Sequence, residues 1–156
     1  MIQIEVRLRV CPEAAYIGNS SYLRRFSGFV MNTILIIEDH PEVREPLARI
    51  LKYEGFHAIC ASNGAEALGT LAIVAPDLVL LDLVMPRMDG LHFLESMRQD
   101  ERFNHLPVIL MTGLDGSAVA RAKELGVVAV IPKAKFTMDG LLSQIRSHLA
   151  LQTNAA

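Results

Sequence analysis

Four short apolar, β-branched stretches of this chain each run into a side chain with chemical capability. Thr33 to Glu38 is followed by Asp39, Asp77 to Asp82 ends in its own acid, Pro107 to Thr112 ends in a hydroxyl, and Val127 to Ile131 is followed, one residue on, by Lys133. If the stretches are neighbouring strands, Glu38, Asp39 and Asp82 share one small crevice, a crowding of negative charge that is unfavourable without a cation. Carboxylate oxygens, with no His or Cys among them, select magnesium or a similar hard ion, which keeps several waters and commonly bridges carboxylate to phosphate. The Thr112 hydroxyl can hydrogen-bond a phosphoryl oxygen, and the Lys133 ammonium can pair with another. Each residue alone has an ordinary explanation: Glu38-Asp39 as acids before a helix that Pro41 opens, Asp82 in a solvated turn, Thr112 as a cap, Lys133 as a surface charge. Acidic pair, lone aspartate, hydroxyl and lysine at successive strand ends, in that order, point jointly to a phosphoryl site.

The elements that position them follow from the hydropathy pattern. The four stretches and Phe56 to Cys60 are continuous apolar runs rather than alternating ones, as strands require when helices cover both faces of a parallel sheet. Between and after them lie helical spacings: Val43, Leu47, Ile50 and Leu51; Ala67, Leu68 and Leu71; Leu91, Phe93, Leu94 and Met97; Val119, Ala122 and Leu125; Leu141, Leu142, Ile145 and Leu149. Strand and helix alternate five times, which predicts a three-layer, doubly wound α/β fold with right-handed crossovers. In such a sheet, ligands bind outside the carboxyl ends of the strands, where the acids, hydroxyl and lysine fall. Pro46 removes one backbone hydrogen bond inside the first helix and is expected to bend it.

Composition bounds the alternatives. With 156 residues, 51% of them apolar, there is material for one domain with a proper core and not for a second. A net charge of −2 with scattered Lys and Arg leaves no basic stripe, so nucleic acid is not an expected direct partner. No stretch is long and apolar enough to span a bilayer and the start lacks the form of a signal peptide, so the expectation is a cytoplasmic chain. Cys11 and Cys60 have neither metal-ligand spacing nor a disulfide framework. His40, His57, His92, His105 and His148 do not cluster along the chain, and none is taken as a ligand.

Residues 1–30 stand outside the scheme. Ile2, Ile4, Val6, Leu8 and Val10 alternate with polar residues as in a half-buried strand. The segment reads as an N-terminal extension ahead of a natural start at Met31, with an extra edge strand or a homodimer contact as the alternative. The main domain is placed at 31–150 and a short tail at 151–156, leaving no room for an output module and implying a unit that passes its signal to a separate protein.

The stretch Asp82-Leu83-Val84-Met85-Pro86-Arg87-Met88-Asp89-Gly90 carries a family resemblance. An aspartate followed by Met-Pro and then Met-Asp-Gly resembles the receiver domain of two-component response regulators, over Met31 to about Leu149. The resemblance implies a flavodoxin-like sheet of order 2-1-3-4-5. It makes Asp82 the acceptor of a phosphoryl group from a histidine kinase or histidine phosphotransfer protein. Asp39 would then touch magnesium (or manganese) directly, Glu38 through water, and Asp82 and the Val84 carbonyl would complete the protein ligands. Thr112 matches the switch hydroxyl, Gly113 a small residue that leaves the site open, and Lys133 the lysine paired with the phosphoryl group. Phosphorylation would switch a surface read by an unknown downstream protein, roughly Ser117 to Ala150. In this role the chain is not an enzyme beyond catalysing its own phosphorylation and dephosphorylation.

Two departures stand against the family pattern. Val130, on the expected output surface, replaces an aromatic residue whose ring would turn inward behind the switch hydroxyl. Ala134 replaces the proline after the lysine, which leaves the geometry there open and makes Lys135 the fallback for Lys133. A haloacid-dehalogenase-type phosphohydrolase needs Asp-x-Asp, and Val84 cannot transfer a proton. A flavin site needs a phosphate-cradling loop where Glu38-Asp39-His40-Pro41 has the wrong charge. The remaining rival is a receiver-like binding module that is never phosphorylated, whose sign would be a lost site residue; none is lost.

Overall fold

The computed structural model describes residues 31–153. The alternating segment at Ile2 to Val10 and Cys11 lie outside the described residues. Strands β1 (Thr33–Ile37), β2 (His57–Ala61), β3 (Leu78–Leu81), β4 (Val108–Thr112) and β5 (Ala129–Pro132) alternate with helices α1 (Pro41–Tyr53), α2 (Gly64–Leu71), α3 (Gly90–Gln99), α4 (Ser117–Glu124) and α5 (Met138–Thr153). The last helix runs past the boundary drawn at residue 150. All strand pairs are parallel and the order is β2-β1-β3-β4-β5, the doubly wound arrangement that the alternation and the resemblance imply.

Successive side chains of a strand point to opposite faces, and here each face has its own core. Leu35, Ile37, Val79, Leu81, Val108 and Leu110 pack with Ala67 and Leu71 of α2, Phe93, Leu94 and Met97 of α3, and Ala122 of α4. Ile34, Ile36, Leu78, Leu80, Ile109 and Met111 pack with Leu47, Ala48 and Leu51 of α1 and Leu141, Leu142, Ile145 and Leu149 of α5. Double coverage explains why β1, β3 and β4 are buried at every position and apolar at all but the terminal Thr33 and Thr112. The free thiol of Cys60 is buried in the second core.

The inward face of α1 differs from the apolar spacing. Val43 and Ile50 are exposed, and Arg44, Leu47, Ala48 and Leu51 are the buried residues. Arg44 can turn inward because its guanidinium finds carbonyl partners where β1 ends. The helix is continuous from Pro41 to Tyr53 with Pro46 inside it.

Candidate functional site

Parallel pairing sets Ile37 opposite Leu81, so Glu38 and Asp82 leave the sheet side by side. Their backbones stay tied to it: the Asp82 amide donates to the Ile37 carbonyl at 3.0 Å and the Glu38 amide to the Ala61 carbonyl at 3.1 Å. Glu38 is 1% and Asp82 4% exposed. Two buried carboxylates at this spacing are costly unless a cation joins them. Lys133 supplies it, its Nζ donating to Glu38 Oε2 at 2.8 Å and to Asp82 Oδ2 at 2.7 Å. Burial works against the ammonium, but the hydrogen bonds and charges of Asp82 and Glu38 outweigh it and hold the Lys133 pKa above its ordinary value.

Lys133 reaches the crevice because β5 ends at Pro132 and the chain enters a single 3₁₀ turn, Lys133–Lys135. Every peptide bond among the described residues is trans. Ala134 therefore does not divert the chain, and Lys133 rather than Lys135 joins the carboxylates.

The acidic pair is held from the α1 side. Arg44 Nη1 donates to the Glu38 carbonyl at 2.6 Å and to the Asp39 carbonyl at 3.1 Å. Replacing Arg44 by methionine, which keeps the length and loses the donors, should leave these carbonyls unpaired and cost about 1–3 kcal/mol in urea unfolding. Circular dichroism is the probe of choice, since the chain has no tryptophan.

His40 departs from the expectation that no histidine belongs to the site. Its Nδ1 is 3.1 Å from Glu38 Oε1, in hydrogen-bond geometry, and its amide donates to the same oxygen at 3.3 Å. The same Nδ1 lies 2.9 Å from Asp39 Oδ1 but out of line for a hydrogen bond, so that buried oxygen has no hydrogen-bond partner. The hydrogen bond with Glu38 and the charge of Asp39 raise the imidazole pKa. Glu38, Asp39 and His40 each present a ligand atom, all within 4.8 Å of one another. The chain adjacency was visible; the backward turn of the ring was not.

The loop after Asp82 is pinned by its apolar residues. Leu83 and Met85 are buried, while Val84 is exposed with its amide 3.3 Å from Asp82 Oδ1. Arg87 takes a φ of 70°, uncommon for a residue with a side chain, at the bend that returns the loop to α3. Asp89 caps that helix, accepting from the His92 amide at 2.9 Å. Gly90 packs its Cα against the loop's start, where a Cβ would lie 2.3 Å from the Asp82 carbonyl oxygen. Thr112 ends β4, 1% exposed, its hydroxyl accepting from the Leu114 amide at 3.1 Å. Beside it, Gly113 has open space where a side chain would start. Val130 sits opposite Leu110 in β5, half-buried against the core shared with α2, α3 and α4.

The residues present fit a small divalent cation. Two buried carboxylates adjoin a third whose buried oxygen lacks a hydrogen bond, and their donors are hard oxygens of the kind magnesium and manganese take. Among the described residues no helix is long and apolar enough to cross a membrane.

A flavodoxin-like α/β domain with an acidic crevice and a converging lysine at its carboxyl edge is the class that fold and site define. The pattern of the response regulator receiver domain matches residues 34–146, and the chain belongs to that family, the receiver domains of two-component systems. Regulatory protein AtoC of Escherichia coli is 37% identical over 124 residues, 79% of this chain and 26% of AtoC. Other response regulators that it matches are covered over about half their length, as with Rre1 of Synechocystis at 36% identity, 77% of this chain and 52% of the relative. Among solved structures, the signal receiver domain of a histidine kinase from Syntrophus aciditrophicus is 33% identical with a TM-score of 0.70, over 76% of this chain and 90% of that one. TrrA of Thermotoga maritima, solved in complex with Mg²⁺ and BeF, is 29% identical with a TM-score of 0.67, over 76% and 99%.

Proposed function

We propose that this receiver domain accepts a phosphoryl group on Asp82, in the cytoplasm, from the phosphohistidine of a histidine kinase or phosphotransfer protein. The observation that carries the reading is the buried Asp82 carboxylate joined through Lys133 to the buried Glu38 carboxylate. Asp82 Oδ2 is committed to Lys133, whereas Oδ1 receives only the long bond from the Val84 amide. A carboxylate oxygen attacks phosphorus, a P–O bond forms as the P–N bond breaks, and the imidazole departs. Such transfer needs positioning and neutralisation of the phosphoryl oxygens more than covalent help.

Lys133 is placed to move from Asp82 to a phosphoryl oxygen without leaving Glu38. Thr112 accepts from Leu114 but keeps its own hydrogen to donate. Gly113 leaves the approach open. Glu38, Asp39, Asp82 and the Val84 carbonyl would hold magnesium or manganese, which would supply charge neutralisation. The new acyl phosphate brings a charge of about −1.5 to −2. It draws in Thr112 and its loop and shifts a two-state surface over roughly 117–150, with Val130 on that surface. That surface is read by a downstream protein partner. The unit is a signalling domain, and the only reaction assigned to it is on its own aspartate.

Acetyl phosphate with magnesium tests this. The expected result is a mass gain of one phosphoryl group in the wild type, absent in Asp82→Asn and after chelation, with amide shifts along 117–150 on phosphorylation. No adduct in the wild type would favour a receiver-like binding module instead.

A further inference from the structure

Metal selectivity is where this chain's own residues say more. Resting on the metal site of the proposed function, we propose that His40 is a ligand in that site and biases it from magnesium toward first-row transition-metal dications, with manganese(II) as the probe.

The geometry carries the argument. Ligands at right angles around an ion, with bonds of about 2.1 Å, lie roughly 3.0 Å apart. His40 Nδ1 lies 2.9 Å from Asp39 Oδ1 and 3.1 Å from Glu38 Oε1, so the nitrogen stands from each oxygen at the spacing of neighbouring ligands, and all three atoms lie within 4.8 Å of one another. The Asp39 oxygen has no hydrogen bond to surrender, and the nitrogen facing it is out of line to donate one. His40 caps α1 with an extended backbone and no side-chain capping bond, so its ring is not engaged in holding the helix. As a ligand the half-exposed ring would carry its proton on Nε2, giving up the Nδ1 hydrogen bond to Glu38 and turning that nitrogen's lone pair to the ion.

The chemistry then sets the preference. Magnesium takes oxygen and keeps its waters, and gains little from a nitrogen donor. Affinities for imidazole-containing sites rise along the first transition series, so one nitrogen among carboxylates moves the balance away from magnesium. A ligand set of carboxylates alone would discriminate less.

The alternative role for His40 is to hold Glu38 through their hydrogen bond, as a positioning residue. Calorimetric titration of the full chain with Mg²⁺ or Mn²⁺, together with pulsed EPR of bound Mn²⁺, separates the two. The wild type is expected to show ¹⁴N modulation from a directly bound imidazole, lost in His40→Ala. In that variant Mn²⁺ affinity should fall at least about tenfold while Mg²⁺ affinity moves less than about twofold. His40→Gln keeps a polar group near Glu38 and should behave like the alanine variant. Bound Mn²⁺ without nitrogen modulation, an equal loss for both ions, or full recovery with glutamine would overturn the ligand role and leave the receiver's metal site standing. Failure of either ion to bind the wild type, with Asp39→Asn no different from it, would remove both.

Discussion

Lys133→Met is expected to destabilise the metal-free domain by about 2–4 kcal/mol and to slow phosphorylation by acetyl phosphate about a hundredfold or more. The stability loss comes from Glu38 and Asp82, left buried without the ammonium that now sits 2.8 and 2.7 Å from them. Breaking a buried pair by removing one partner costs about 3–5 kcal/mol, and Lys133 at 33% exposure lies toward the solvated end, which lowers the figure. The rate loss follows because one of the few charges able to meet a transferring phosphoryl oxygen is gone. Urea unfolding followed by circular dichroism gives the first number, and single-turnover mass spectrometry the second. A variant as stable as the wild type would mean that water, not Lys133, satisfies the carboxylates.

The same ion pairs fix the direction of a pH effect. Lys133 titrates higher when folded than its ordinary value of 10.5. The stability it contributes is therefore present in full below that value and lost as the pH climbs through the higher folded-state value. The gap between wild type and Lys133→Met should be flat around neutrality and close in alkali. Added magnesium should narrow it at neutral pH, since an ion that binds only the folded carboxylates replaces part of the missing charge.

Much of this arrangement is legible in the order of the residues. Unbroken apolar runs such as Ile34–Ile37 and Leu78–Leu81 announce strands covered on both faces, and a doubly wound sheet gathers its functional groups at the carboxyl edge. Glu38, Asp82 and Lys133 therefore stood out by position as much as by type. What stayed hidden depends on partners that periodicity does not carry. The spacing of Val43, Leu47 and Ile50 suggests an apolar stripe, yet Arg44 takes an inward place because two carbonyls wait at the end of β1. His40 follows the acidic pair in the chain, but its contact depends on the ring turning back from the head of α1. The choice of Lys133 over Lys135 follows from one short turn after Pro132.

Gly90 shows why a motif can be recognised without its reason being visible, and Gly90→Ala should cost about 2–4 kcal/mol. A methyl group there would meet the Asp82 carbonyl oxygen at 2.3 Å and the Leu83 Cα at 2.8 Å. Both are backbone atoms, so no side-chain rotation relieves the clash. The Asp82 amide is bonded to Ile37 and the Gly90 amide to the Leu83 carbonyl, so neither side of the contact can withdraw without breaking the strand end or the loop. If the loop gives way, it carries the Asp82 backbone with it, and phosphorylation should fall although every acidic and basic group is retained. Gly113→Ala is the matched control, since a Cβ there meets nothing within 4 Å and its stability should stay within about 0.5 kcal/mol of the wild type. Equal unfolding midpoints for the two variants would mean that Gly90 is kept for something other than close approach to the backbone beneath Asp82.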